Sequence, residues 1–246
     1  MRTVYLGTSD FAATVLRRLA DSPHRPALVV TPPDRRQGRG RKVAPPPAAV
    51  AAADLGLELL QAESVNDEAA RERIAAAAPE ALAVCAFGQL IREPLLSDYE
   101  LLNVHPSLLP RWRGAAPIER AIMAGDERTG VCVMRVTEGL DSGPVALATE
   151  VPIGADADFE ALSSTLAGLG GELIVRALEL EAAGRLEFAE QDEAEATYAE
   201  KVDPSERRLD PARPATELAA TVRALTPHIG AYLEMANGER LGVRRA

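Results

Sequence analysis

Aromatic residues make up only 4% of this 246-residue chain, and it has just two cysteines and three histidines. A core with so few rings has to be built from Ala, Leu, Val and Ile, and the 47% hydrophobic content is enough for that. Such a composition folds as one sizeable domain, or as a domain with a smaller appendage, and excludes whole-chain disorder. Cys85 and Cys132 each sit inside an apolar run, so they read as buried small hydrophobes and not as a disulfide scaffold. No CxxC or HxxxH spacing occurs, so no metal site is expected. The apolar runs read as shorter than the roughly 18 residues of a membrane helix, and the N-terminus lacks a signal-peptide pattern. A soluble, cytoplasmic protein with no membrane partner is expected. Positive charge is also in short supply: 27 Lys and Arg face 37 Asp and Glu, a net charge of −10. That total argues against indiscriminate nucleic-acid binding, although a sum can hide a local basic face.

What is present alternates. Residues 2–7 read as a buried strand ending in a glycine turn, after which Phe11, Val15, Leu16 and Leu19 recur at helical spacing. The pattern repeats with a strand at 27–30, a helix at 48–55 and a short strand at 57–60. A helix capped by Asn66 and running to about residue 77 follows, then a strand at 81–87 stopped by Gly88. This alternation indicates an α/β fold with a Rossmann-like parallel sheet, whose sites lie beyond the carboxyl ends of its strands. Residues 130–135 and 145–153 are further strands joined by a turn-rich connection. A long helix at 157–183 comes next, with Gly168, Gly170 and Gly171 weakening its middle. Residues 1–186 read as a catalytic domain and the polar stretch 187–204 as a linker. Residues 205–246 read as the start of a second, small domain, cut short or docked on the first. In that segment 215–225 is a helix, and 231–244 is a hairpin turning on two residues, Asn237 and Gly238.

The chemistry-bearing stretch is LLNVHPSLLPRWRGAAPIER, residues 101–120. Asn103 and His105 stand two apart at a strand end, so an amide donor and an imidazole project from one face at the carboxyl edge of the sheet. The alternative is a turn-capping Asn103 and a satisfied surface histidine. Pro106, Pro110, Pro117 and Gly114 stiffen the following loop, which carries Arg111, Trp112 and Arg113. Asp141, within GLDSG, is the natural third member. A carboxylate beside His105 would fix the ring's tautomer and make it a better donor to a developing oxyanion, while a plain Asx-turn aspartate would carry the same sequence. GLDSG is not GxSxG, so no nucleophile elbow is present. Gly7-Thr8-Ser9-Asp10 lacks GxGxxG and residues 38–42 lack the P-loop spacing, so neither a dinucleotide nor an ATP site is supported. Residues 31–47 crowd Arg35, Arg36, Arg39, Arg41 and Lys42 into a proline-flanked loop. It reads either as a basic arm for phosphates or as a solvated charged loop.

The strings GTSDFAATVLRRL, PDRRQGRGRKVAPPP, AVCAFGQLI, NVHPSLLPRWRGAAPIERAIMAGD, TGVCVM, GLDSGPV and TYAEKVDPSERRLD occur in a telling order and spacing. On them the chain resembles the methionyl-tRNA formyltransferase family over essentially its whole length. Asn-x-His-x-Ser-Leu-Leu-Pro with a later Gly-Leu-Asp is shared with other formyltetrahydrofolate-dependent formyltransferases, whereas PRWRGAAPI, the basic loop and TYAEK are more selective. The resemblance implies that Asn103, His105 and Asp141 are the catalytic trio. It implies that Ala86, Phe87, Gly88, Gln89 and Leu90, with Ser107, Leu108, Leu109 and Pro110, bind the pterin of 10-formyltetrahydrofolate. Arg35, Arg36, Arg39, Arg41 and Lys42, with Arg111 and Arg113, are then expected to meet methionyl initiator tRNA. A metal-free monomer is expected, with a C-terminal barrel of which 205–246 is the beginning. Two other readings stay open: a formyltransferase acting on an amino-sugar nucleotide, and a non-catalytic tRNA or folate binder.

Overall fold

The computed structural model describes residues 1–37 and 42–246. Two compact units form: Met1–His105 with Cys132–Ala148 and Ala167–Glu190, and Pro106–Val131 with Thr149–Leu166 and Gln191–Ala246. The chain begins with β1 (Thr3–Gly7), α1 (Asp10–Ala20), β2 (Pro26–Thr31), β3 (Arg35–Gln37), β4 (Lys42–Ala44) and α2 (Pro47–Asp54). It continues with β5 (Leu59–Gln61), α3 (Glu68–Ala76), β6 (Ala81–Cys85), α4 (Leu95–Asp98) and β7 (Glu100–His105). Then come β8 (Arg113–Gly114), α5 (Pro117–Ala124), β9 (Arg128–Arg135), β10 (Val145–Pro152) and α6 (Phe159–Ala182). The last elements are β11 (Tyr198–Ala199), α7 (Ala215–Leu225), β12 (Ala231–Glu234) and β13 (Arg240–Val243).

Seven strands form one sheet in the order β10-β9-β7-β6-β1-β2-β5. The pairs β2/β5, β1/β2, β1/β6 and β6/β7 are parallel, as the βα alternation predicts. The exception is β9, whose direction the alternation leaves open: it lies antiparallel to β7, with Cys132 opposite His105 and Arg135 opposite Leu102. The chain comes back beside the far end of β7 and so has to run down it. Every residue of β1 and β6 is buried, as in strands covered on both faces. Val4, Leu6, Leu28, Val30, Ile74, Leu82, Val84 and Leu101 pack into one core with Phe87. Each fully buried side chain of this kind stabilises by about 1.5–3 kcal/mol, so aliphatic residues supply what scarce rings do not. The strand order runs outward from β1 in both directions, which makes the carboxyl ends of β1 and β6 the switch point at which such sheets hold ligands. There the Thr8 hydroxyl donates to the Phe87 carbonyl at 2.6 Å.

Several local expectations change. Asn66 does not cap α3, whose N-cap is Asp67. Its amide donates to the Leu90 carbonyl at 2.8 Å and accepts from Arg92 N–H at 2.9 Å, which commits it to another loop. The helix α6 is continuous through Gly168, Gly170 and Gly171, and by length and composition it is long and apolar enough to cross a membrane. The expectation drawn from apolar run lengths missed this because charged residues interrupt the runs. In the fold, Leu162, Leu166, Ala167, Ile174, Ala177 and Leu178 form a buried stripe at helical spacing. Gly171 belongs to that stripe, where a Cβ would come within 2.7 Å of Arg18 Cβ on α1. Residues 187–204 are bonded into the structure: Ala189 exchanges hydrogen bonds with Val145 (2.8 and 2.9 Å), and β11 pairs with β8.

The hairpin of β12 and β13 turns more widely than on two residues. Gly238 N–H donates to Met235 O and Met235 N–H to Glu239 O, both at 2.8 Å. Only Gly238 takes a left-handed conformation, at φ +80. A two-residue type I′ turn needs positive φ at both central positions, and Asn237 instead accepts Glu239 N–H through its side chain at 3.0 Å. Part of this segment packs within the second unit, where Leu209, Val222, Leu225 and Ala231 cluster with Met123, Leu218, Ile229 and Leu233, while Met235 and Leu241 stay exposed.

Cys85 and Cys132 are both fully buried. Burial pushes the Cys85 thiol up to about 12, with a hydrogen bond from Tyr5 only partly opposing the shift. At pH 8 that leaves on the order of one thiolate in 10⁴. The native protein should therefore give no rapid reaction with a thiol reagent and two equivalents after unfolding; a fast native equivalent would contradict the packing.

Candidate active site

β7 sets the first two residues. In its register with β6, Val84 faces Asn103 and Cys85 faces Val104, so His105 stands at the end of the paired segment. Strand alternation puts Asn103 and His105 on one face and Val104 on the other. Asn103 is half-buried and His105 is buried.

Asp141 reaches this pair from an unexpected direction. Because Arg135 ends β9 opposite Leu102, the connection 136–144 starts three residues back from His105, about 10 Å at ~3.3 Å per residue. Its foot is fastened by Val136 N–H donating to Leu101 O (2.9 Å) and Arg135 N–H donating to Pro144 O (3.0 Å). The loop then returns along the sheet and brings Asp141 Oδ2 to 3.7 Å from His105 Nδ1. The Asp141 side chain is 19% exposed. Its backbone lies in the left-handed region at φ +46, which aspartate tolerates better than most residues. A separation of 3.7 Å is an ion-pair distance, longer than a hydrogen bond. A carboxylate on the Nδ1 side orients the ring.

The segment 86–90 turns beside the end of β6. Ala86 and Gly88 are both left-handed, at φ +43 and +74. Gln89 is tied at both ends of its amide, accepting from Val65 N–H at 2.8 Å and donating to Ala62 O at 2.9 Å. With Thr8 on Phe87 and Asn66 on Leu90, the backbone here is fixed by four side-chain contacts. The sequence did not single out Thr8 or Asn66 for that work, since neither stands in a recognisable motif. Leu90 and Leu140 are 61% and 64% exposed, so both loops present apolar side chains to solvent. An amide donor, an imidazole with its carboxylate, and rigid backbone groups can together polarise a carbonyl and move a proton at it.

The basic residues divide. Arg35, Arg36 and Lys42 are exposed on the β3–β4 pair, and Arg35 lies 3.5 Å from Glu63. Arg39 and Arg41 lie outside the described residues. Arg111 forms a two-pronged contact with Asp126 (2.8 and 2.6 Å) and stacks over Trp112 at 4.4 Å. Arg113 is 1% exposed and grips Glu193 at 2.9 and 2.7 Å and Gln191 at 3.0 Å, so its charge is used inside the fold. That guanidinium holds the Glu193 carboxyl below the usual range. Ser107 is buried and its hydroxyl donates to Arg111 O at 2.6 Å, and Leu108, Leu109 and Pro110 are half-buried. Residues 107–113 belong to the second unit, whereas Asn103, His105, Asp141 and 86–90 belong to the first.

Comparison with known proteins places these residues in context. The formyl transferase family model matches residues 1–178. The methionyl-tRNA formyltransferase of Methylococcus capsulatus is 46% identical over 229 residues, 92% of this chain and 74% of that one. That of Marinobacter nauticus is 41% identical over 248 residues, all of this chain and 79% of its own. Among solved structures, a 4-N formyltransferase from Francisella tularensis aligns at a TM-score of 0.76 with 15% identity, covering 98% of this chain and 96% of that one. Glycinamide ribonucleotide transformylase 1 from Symbiobacterium toebii aligns at 0.62 with 24% identity, covering 78% and 94%. At these identities the two structures share the fold.

Proposed function

The chain belongs to the formyl transferase family, and we propose that it moves the formyl group of 10-formyltetrahydrofolate onto the α-amine of methionyl initiator tRNA. The observation that carries the reading is the 3.7 Å approach of Asp141 to His105, at the end of the strand that also bears Asn103. 10-Formyltetrahydrofolate supplies the formyl carbon and a nitrogen able to leave it. The segment 86–90 suits a pterin: its backbone follows a left-handed path outside any strand or helix, and exposed Leu90 and Leu140 offer apolar contact. Ser107 to Pro110, in the second unit, are proposed as folate contacts on the family resemblance alone.

An α-amine with a pKa of ~7.7–8.0 is partly neutral at cellular pH, so attack needs no strong base. As the amine adds, the Asn103 amide donates to the oxygen that gains charge, His105 joins it as a donor once it has taken the amine's proton, and losing one such donor typically costs about 10²–10³ in rate. Asp141 holds the imidazole in orientation, and the pair relays the amine's proton to the departing nitrogen, directly or through a water. On this reading the protein acts in the cytoplasm as a monomer, without a metal or a membrane. The direct test incubates the chain with 10-formyltetrahydrofolate and methionyl initiator tRNA and measures formylmethionyl-tRNA. Product supports the reading; formylation of an amino-sugar nucleotide in place of the tRNA would overturn it.

Arg35, Arg36, Arg39, Arg41 and Lys42, with exposed Arg111, are the proposed tRNA contacts, with buried Arg113 supporting the loop. Each phosphate contact contributes about 0.7–0.9 to the slope of log affinity against log salt. Arg39→Ala/Arg41→Ala/Lys42→Ala should therefore flatten that slope by about 2–3 and leave folate binding intact. An unchanged slope would remove the arm from the tRNA interface.

A further inference from the structure

We propose that Arg135 is a positioning residue for formyl transfer, clamping Glu100 so that the loop carrying Asp141 keeps its foot against the strand carrying His105. The inference rests on the formyl-transfer reading above. Arg135 Nε and Nη2 each lie 2.8 Å from a different Glu100 oxygen, a planar two-pronged contact that only arginine can make. The guanidinium also stacks over Phe188 at 4.0 Å. Arg135 is opposite Leu102, so Glu100 is its diagonal neighbour on the same sheet face, within reach of a long side chain. That face is opposite the one bearing Asn103 and His105. Arg135 therefore acts through the backbone.

The backbone path is short. Arg135 N–H donates to Pro144 O at 3.0 Å, its carbonyl packs against Gly143, and the next residue, Val136, donates to Leu101 O at 2.9 Å. Glu100 opens β7 and Arg135 closes β9, so one ion pair fastens the strand that delivers His105 to the strand that launches the Asp141 loop. The pair is part-exposed, with side chains 42% and 19% accessible, and such pairs add little to global stability. What it fixes is position, and a displacement of about 1 Å at a reacting group can cost on the order of 10²-fold in rate.

The test compares the full chain with Arg135→Met, Arg135→Lys and the reversed pair Glu100→Arg/Arg135→Glu. Turnover, both KM values, the melting temperature and the ¹⁵N imidazole signals are measured, the last being assignable because only three histidines exist. In Arg135→Met, kcat should fall roughly 10-fold with KM and melting temperature nearly unchanged, and the His105 signals alone should move. The lysine variant should recover little, since it lacks the fork, and the reversed pair should recover part of kcat together with the His105 signals. Parental kcat with unmoved His105 signals in Arg135→Met overturns the proposal. So does a fall in melting temperature that accounts for the lost activity, or a reversed pair no better than Arg135→Met. If the parent chain does not formylate methionyl-tRNA, the formyl-transfer reading fails by itself, and the His105 signals still report whether Arg135 positions the pair.

Discussion

Replacing His105 by alanine is expected to lower formyl transfer at least ~100-fold, equivalent to about 2.7 kcal/mol of transition-state stabilisation. The side chain is buried at the end of β7 and has Asp141 Oδ2 3.7 Å from Nδ1, so removing it takes away both a donor to the developing charge and the group that relays the proton. Asp141→Asn is the sharper companion. It keeps the volume, and asparagine tolerates the left-handed backbone that Asp141 adopts at φ +46, so the loop should hold its path while the negative charge is lost. A fall of at least ~100-fold is expected there too, with folate binding retained. Pre-steady-state transfer to methionyl-tRNA separates this from slow product release. Near-normal turnover in either variant would remove the pair from the chemistry.

The sequence carried much of this site and left out how its parts come together. The βα alternation predicted β1, β2, β5 and β6 because each is an apolar run bounded by turn residues, and the i, i+2 spacing put Asn103 and His105 on one face of a strand end; β3 and β4, Arg-Arg-Gln and Lys-Val-Ala, fall in the stretch that reads as a basic loop and carry no such pattern. Asp141 could be named from GLDSG, but its approach could not be read. That approach depends on β9 running antiparallel to β7, a pairing choice that no residue of 128–135 announces. Arg113 looked like a surface cation because neutralisation by Glu193, 80 positions away, has no local signature. The Arg135–Glu100 clamp was hidden for the same reason at 35 positions. Asn66 matched a helix cap because the cap preference is local, while the bonds it makes to Leu90 and Arg92 are not. The net charge of −10 is a sum and says nothing of place: Arg35, Arg36 and Lys42 are exposed together while much of the acidic excess lies elsewhere along the chain. For a polyanion the local field matters more than the sum.

Gly143→Ala should be nearly as damaging as losing His105, although Gly143 touches no reactant. Its φ is not in the left-handed region, so the objection to alanine is one of space. The new Cβ would run into the Arg135 carbonyl oxygen and press on the Thr137 methyl at 3.0 Å. A backbone carbonyl cannot rotate aside as the tip of a side chain can. Here it belongs to the residue whose N–H already holds Pro144 O and whose guanidinium holds Glu100. Relief has to come from the loop, and Asp141 lies two residues from the clash. A shift of about 1 Å there predicts a loss on the order of 100-fold in turnover. Gly184→Ala provides the contrast. Gly184 has φ +64, and a methyl group added there would meet nothing within 4 Å, so its penalty is torsional alone, about 1–2 kcal/mol of stability, with turnover unchanged. Turnover and melting temperature measured on both variants distinguish the two penalties, and parental turnover in Gly143→Ala would mean that the path of the loop does not set the reach of Asp141.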